Sequence, residues 1–180
     1  MKIDISKLEK FIKTARSIVR RNECSPYSLE DIYSLAYKLE IDGVIYLEKF
    51  DDKRHVNVLL DLDKNNLILY DPLLGFKKKS YNDIQFGMYC KPVGSFKDEF
   101  QIYIQQLESN EAKDIWTQYE QKGKLLFKFL KQHNKFKSMY TKVSSNIDNL
   151  QALQNTPGSS DCVPISLFVM SLFKSLYSKS

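Results

Sequence analysis

The segment Val163-Pro-Ile-Ser-Leu-Phe-Val-Met-Ser-Leu-Phe-Lys-Ser-Leu-Tyr177 constrains this chain more than any other. Its spacing predicts a helix, and apolar side chains point in nearly every direction around it. Such a helix is stable in water only when other elements surround it. The fold must therefore be built around residues 163–177. Pro164 suits the first turn, where a missing amide donor costs nothing. The preceding residues, Asn155-Thr-Pro-Gly-Ser-Ser-Asp161, are a turn-rich loop. The longest apolar stretch, Val163 to Phe173, is too short to span a bilayer and carries two serines.

Residues 5 to 21 predict an amphipathic helix, with Leu8, Phe11, Ile12, Ala15, Ile18 and Val19 at helical spacing. Asn22 to Pro26 breaks it. Ser28, with Asp31 three residues on, predicts the N-cap of a second helix running through Ala36 and Leu39. Asp42-Gly43 marks a turn. Three strands follow: Val44 to Phe50, His55 to Leu62 and Leu67 to Tyr70. The short polar turns between them predict an antiparallel meander. Residues 76 to 96 combine the basic run Lys77-Lys78-Lys79 with short elements. Residues 97 to 138 read as helical, with Gly123 expected to split them.

The chain has 180 residues, enough for one domain with its own core. Apolar residues make up 43%, which excludes a chain disordered throughout. The net charge of +5 is too small to indicate nucleic acid. The cysteines are Cys24, Cys90 and Cys162, an odd number with no CxxC, so neither a disulfide framework nor a thiolate zinc site is expected. With His55 and His133 as its two histidines, the chain is not expected to hold an imidazole-rich metal centre. The N-terminal region lacks the uninterrupted apolar core of a secretory signal. The expected setting is intracellular and reducing. No cofactor and no stable membrane insertion are expected.

Cys162 opens the apolar helix. A helix N-terminus carries roughly half a unit of positive charge and several unpaired amides, which favour a thiolate. A nucleophilic cysteine needs a base, and that base needs an orienting group. His55 begins a strand, and Asp71 ends the next one. In a hairpin turning near residues 63–66 they lie at the same end, where their side chains can meet. Asp61 and Asp63 compete for the orienting role, but Asp63 belongs to the far turn. Gln154 precedes the loop before Cys162 and offers an amide donor beside the cysteine's own N–H. His133, in a lysine-rich stretch, reads as a solvated helix residue.

This order of His, Asp, Gln and Cys resembles the clan CE cysteine proteases, the ubiquitin-like-protein proteases that include SUMO proteases, adenovirus-type proteases and bacterial effector deubiquitinases. Two blocks carry the resemblance. One is His55-Val-Asn-Val-Leu-Leu-Asp-Leu-Asp-Lys-Asn-Asn-Leu-Ile-Leu-Tyr-Asp71-Pro. The other is Gln154-Asn-Thr-Pro-Gly-Ser-Ser-Asp-Cys162. The chain departs from the family at Val56, where an aromatic residue is common, and at Val163, where glycine is usual. Its glutamine loop is also about two residues longer, which makes Asn155 an alternative to Gln154.

The resemblance implies an α+β fold: a papain-like scaffold in circularly reordered form, its small antiparallel sheet packed on a central nucleophile helix with further helices around them. It implies a single catalytic domain over 1–180, with 76–140 as a helical insertion for substrate recognition. It implies His55, Asp71, Gln154 and Cys162 as catalytic residues. The implied activity is cleavage after the C-terminal Gly-Gly of ubiquitin or a ubiquitin-like protein, by a monomer, in the host cytoplasm if the chain is a pathogen effector. Two alternatives stand beside it. Cys162-Val-Pro-Ile-Ser166-Leu167 also resembles the nucleophile region of YopJ-type acetyltransferases, for which Lys77–Lys79 and Lys131–Lys137 could hold coenzyme A or an inositol phosphate. The chain could otherwise be a non-catalytic interaction module.

Overall fold

The computed structural model describes residues 3–19, 27–50, 53–83, 90–108, 115–133, 152–154 and 161–177. The expected break at 22–26, Cys24 and Asn155 lie outside these residues.

Helix α1 (Ile5–Val19) starts at Asp4, whose carboxylate accepts the Ser6 amide at 2.9 Å. It buries Leu8 and Ala15 on one face. Helix α2 (Leu29–Lys38) begins with a reciprocal capping box. The Ser28 hydroxyl accepts the Asp31 amide at 3.1 Å, and the Asp31 carboxylate accepts the Ser28 amide at 2.9 Å.

Strands β1 (Gly43–Phe50), β2 (Lys53–Leu62) and β3 (Asn66–Asp71) form the expected meander. Asp63 closes the β2–β3 turn by accepting the amides of Asn65 and Asn66 at 2.9 and 2.8 Å. Two strands that the sequence pattern does not announce join them. β4 (Gly75–Ser80) pairs with β3, and β5 (Cys90–Val93) pairs with β1. The antiparallel order is β4-β3-β2-β1-β5. The start of the 76–140 stretch thus belongs to the sheet. Its described helices are α3 (Ser95–Glu108) and α4 (Ile115–Gln132). Gly123 lies inside α4 and does not split it. A glycine there costs only about 1 kcal/mol, and Leu126, Phe127 and Leu130 are buried just beyond it.

Helix α5 (Cys162–Tyr177) lies on β2 and beside α1. Phe168 meets Phe11 edge-on, with ring centroids 5.5 Å apart. The Ser166 hydroxyl donates to the Val56 carbonyl at 3.3 Å, tying the helix to β2. Gly43 leaves room for Met170; a Cβ there would stand 3.0 Å from the Met170 sulfur. Residues 55–60 of β2 are all buried, as are residues 162–170 of α5. The fold is α+β, with five helices and one five-stranded antiparallel sheet among the described residues. None of its helices is long and apolar enough to cross a membrane among those residues.

Candidate active site

His55 stands on β2 opposite Glu48 of β1. One strand further across the sheet, β3 ends at Asp71. The hairpin brings these two together: His55 Nε2 lies 2.5 Å from Asp71 Oδ1. They are 5% and 2% exposed, so the pair sits in a low-dielectric interior where it is strong. Neither competing carboxylate reaches the imidazole. Asp61 turns back to accept the Leu62 amide at 2.8 Å, and Asp63 is engaged in the turn at the other end.

Asp71 has three donors. Oδ1 accepts from His55 and from the Leu73 amide at 2.8 Å, and Oδ2 accepts from Lys77 Nζ at 2.9 Å. Burial alone would push its carboxyl up. The bonds from His55, Lys77 and the Leu73 amide outweigh that and hold it down at about 2. Gly75, at φ +82°, turns the chain from Asp71 into β4 and so brings Lys77 back over the carboxylate.

The other ring nitrogen of His55, Nδ1, is buried and makes no hydrogen bond of ordinary geometry. Cys162, 4% exposed, acts on the same ring. Burial would draw the imidazole down, but Asp71 and Cys162 together raise it to about 9. The ring thus has a carboxylate on Nε2, with Nδ1 left over and a sulfur close enough to stabilise its protonated form.

Cys162 is the first residue of α5. The Asp161 carbonyl accepts the Ile165 amide at 3.0 Å, so Asp161 occupies the N-cap position. Its carboxylate is bound by Arg16 of α1. Earlier in this first turn, the amides of Cys162 and Val163 have no acceptor within the helix, and Pro164 has no amide to satisfy. Gln154 is 6% exposed, and its backbone is fixed beside Asp71: the Leu153 and Gln154 amides donate to the Pro72 carbonyl at 2.8 and 2.9 Å. All four residues singled out in the sequence are therefore buried. His55 and Asp71 touch, Cys162 acts on His55, and Gln154 hangs from the residue after Asp71.

His133 is not a freely solvated helix residue. Nε2 lies 2.7 Å from Glu99 Oε2, and the ring packs on Phe96 and Phe129. Cys90 offers a contrast to Cys162: it is buried among apolar groups, and its thiol is pushed up to about 12. Glu48 escaped the sequence argument and Lys77 entered it only as part of a basic run, although β-strand alternation carries a signal. It places Lys77 and Lys79 on one face of a strand, and both approach Glu48, at 2.6 and 3.8 Å.

Among the described residues no group of three or more His, Cys, Asp or Glu side chains suits a metal ion. No protein-family model, curated protein or solved structure matches the chain.

Proposed function

We propose that this protein is a thiol hydrolase of the clan CE type, on a reordered papain-like scaffold, that cleaves after the C-terminal Gly-Gly of ubiquitin or a ubiquitin-like protein. The observation that carries the reading is the buried His55–Asp71 pair at 2.5 Å, with its remaining nitrogen unbonded and Cys162 acting on the ring. The family resemblance of the two sequence blocks supports the substrate class.

In this mechanism His55 takes the Cys162 proton at Nδ1, while Asp71 stabilises the imidazolium through Nε2. The thiolate attacks the scissile carbonyl. The Cys162 amide and the Gln154 side chain receive the oxyanion. His55 then gives its proton to the leaving amine, and water releases the acyl group. The YopJ-type alternative draws on Ser166 in Cys162-Val-Pro-Ile-Ser-Leu. That hydroxyl is buried and bonded to the Val56 carbonyl, which gives it a packing role under either reading.

The test has two parts. Ubiquitin, SUMO and related modifiers carrying a C-terminal electrophile are incubated with wild type, Cys162→Ala and His55→Ala. The expected result is a covalent adduct with one probe, absent in Cys162→Ala and strongly slowed in His55→Ala. In parallel, site-resolved iodoacetamide labelling at pH 7 is expected to modify Cys162 at least tenfold faster than Cys90. Fast labelling without any adduct would overturn the modifier substrate and direct the next assay to acetyl-coenzyme A. An inert Cys162 would overturn the enzyme reading altogether.

A further inference from the structure

We infer that Lys77 is a positioning residue: anchored by Glu48, it holds the second oxygen of Asp71 so that the first stays on His55. The inference deepens the proposed function and rests on it for the link to Cys162.

Three consecutive lysines on an outer strand ordinarily form a solvated face. Lys77 does not behave that way. Its side chain is only 20% exposed, and its ammonium lies 2.6 Å from Glu48 Oε1 and 2.9 Å from Asp71 Oδ2. Lys79 adds a second cation 3.8 Å from Glu48 and stands over the Tyr46 ring. A buried carboxylate oxygen without a donor is costly, and two carboxylates sharing a region repel each other. Lys77 resolves both problems with one charge.

The groups around Asp71 come from several elements. β1 supplies Glu48, β2 supplies His55, β3 supplies Tyr70, β4 supplies Lys77 and Lys79, and α5 supplies Cys162 through the imidazole. The two lysines balance Glu48 and Asp71. A protonated His55 and an ionised Cys162 then balance each other. The cluster is electrically neutral in the state that the proposed mechanism requires. Without Lys77 it carries an uncompensated negative charge, which favours protonation of Asp71 and releases its hold on the ring.

The experiment uses the full chain with Lys77→Met, Lys77→Gln and Lys77→Arg. The side-chain carboxyl carbon of Asp71, identified by its loss in Asp71→Asn, is followed by NMR as pH falls. Iodoacetamide labelling of Cys162 is measured over the same range. In Lys77→Met and Lys77→Gln the Asp71 midpoint is expected to rise by about one pH unit. The acid limb of Cys162 labelling should rise with it, while the rate at pH 7, where Asp71 stays ionised in every variant, should change by less than about twofold. Lys77→Arg should restore both. An unchanged Asp71 midpoint in the Met or Gln variant overturns the inference, as does a labelling loss that is equal at every pH. If the midpoint moves while Cys162 labelling ignores both Lys77→Met and His55→Ala, Lys77 still positions the pair, and the proposed function is what falls.

Discussion

At the scale of single residues, the His55–Asp71 contact makes stability depend on pH in a definite direction. The imidazole is raised from 6.5 to about 9 in the folded chain, so its contribution is complete below pH 6.5 and is lost as pH rises through about 9. The Asp71 carboxyl is lowered from 3.8 to about 2, so its contribution is complete above pH 3.8 and is lost as pH falls through about 2. Urea unfolding is expected to find a midpoint that declines between pH 6.5 and 9 in wild type. His55→Gln should abolish most of that decline, and a slope unchanged in the variant would contradict the pairing. The His55–Asp71 contact and the place of Cys162 were legible in the sequence because local patterns fix them: a histidine and an aspartate at one end of a hairpin, and a cysteine opening a buried helix. Lys77 was not legible. A lysine in a basic run is ordinarily solvated, and nothing local indicates that a glycine turn returns it to the carboxylate it left six residues earlier.

Among the elements, those with strong local signals were readable. The Ser28–Asp31 capping box and the Asp63 turn make their own hydrogen bonds within four residues, so sequence spacing suffices to see them. β4 and β5 gave no such signal. β4 is Gly-Phe-Lys-Lys-Lys-Ser and earns its place by backbone pairing with β3, whereas β5 is four residues long and contains Pro92. Both flank the sheet: β4 buries only Gly75 and shows no apolar alternation, while β5 buries Cys90, Pro92 and Val93 but is too short to show a pattern. Two substitutions test the element packing. Ser28→Ala should cost about 1 kcal/mol in urea unfolding through the lost cap, with Cys162 labelling unchanged. Gly43→Val should cost about 1–3 kcal/mol by driving a side chain into Met170, and Met170→Ala in the same chain should recover part of the loss. Strictly additive losses would mean that the two positions do not meet.

Across the whole molecule, α5 is the element on which the other parts converge. It lies on β2, Phe168 touches α1, and Arg16 of α1 grips Asp161 one residue before the cysteine. A double-mutant cycle between Arg16→Ala and Asp161→Ala should return a coupling of about 1 kcal/mol, and a coupling near zero would remove the clasp from the account. The element order also has a consequence in time. A ribosome finishes the meander with His55 and Asp71 long before it reaches Cys162, ninety-one residues after Asp71. At about 5–20 residues per second, that interval lasts roughly 5 to 20 seconds. Throughout it the nascent chain has His55 and Asp71 but not Cys162. In the proposed mechanism the nucleophile is made after its base and orienting group, so that chemistry waits until the central helix has been synthesised and docked.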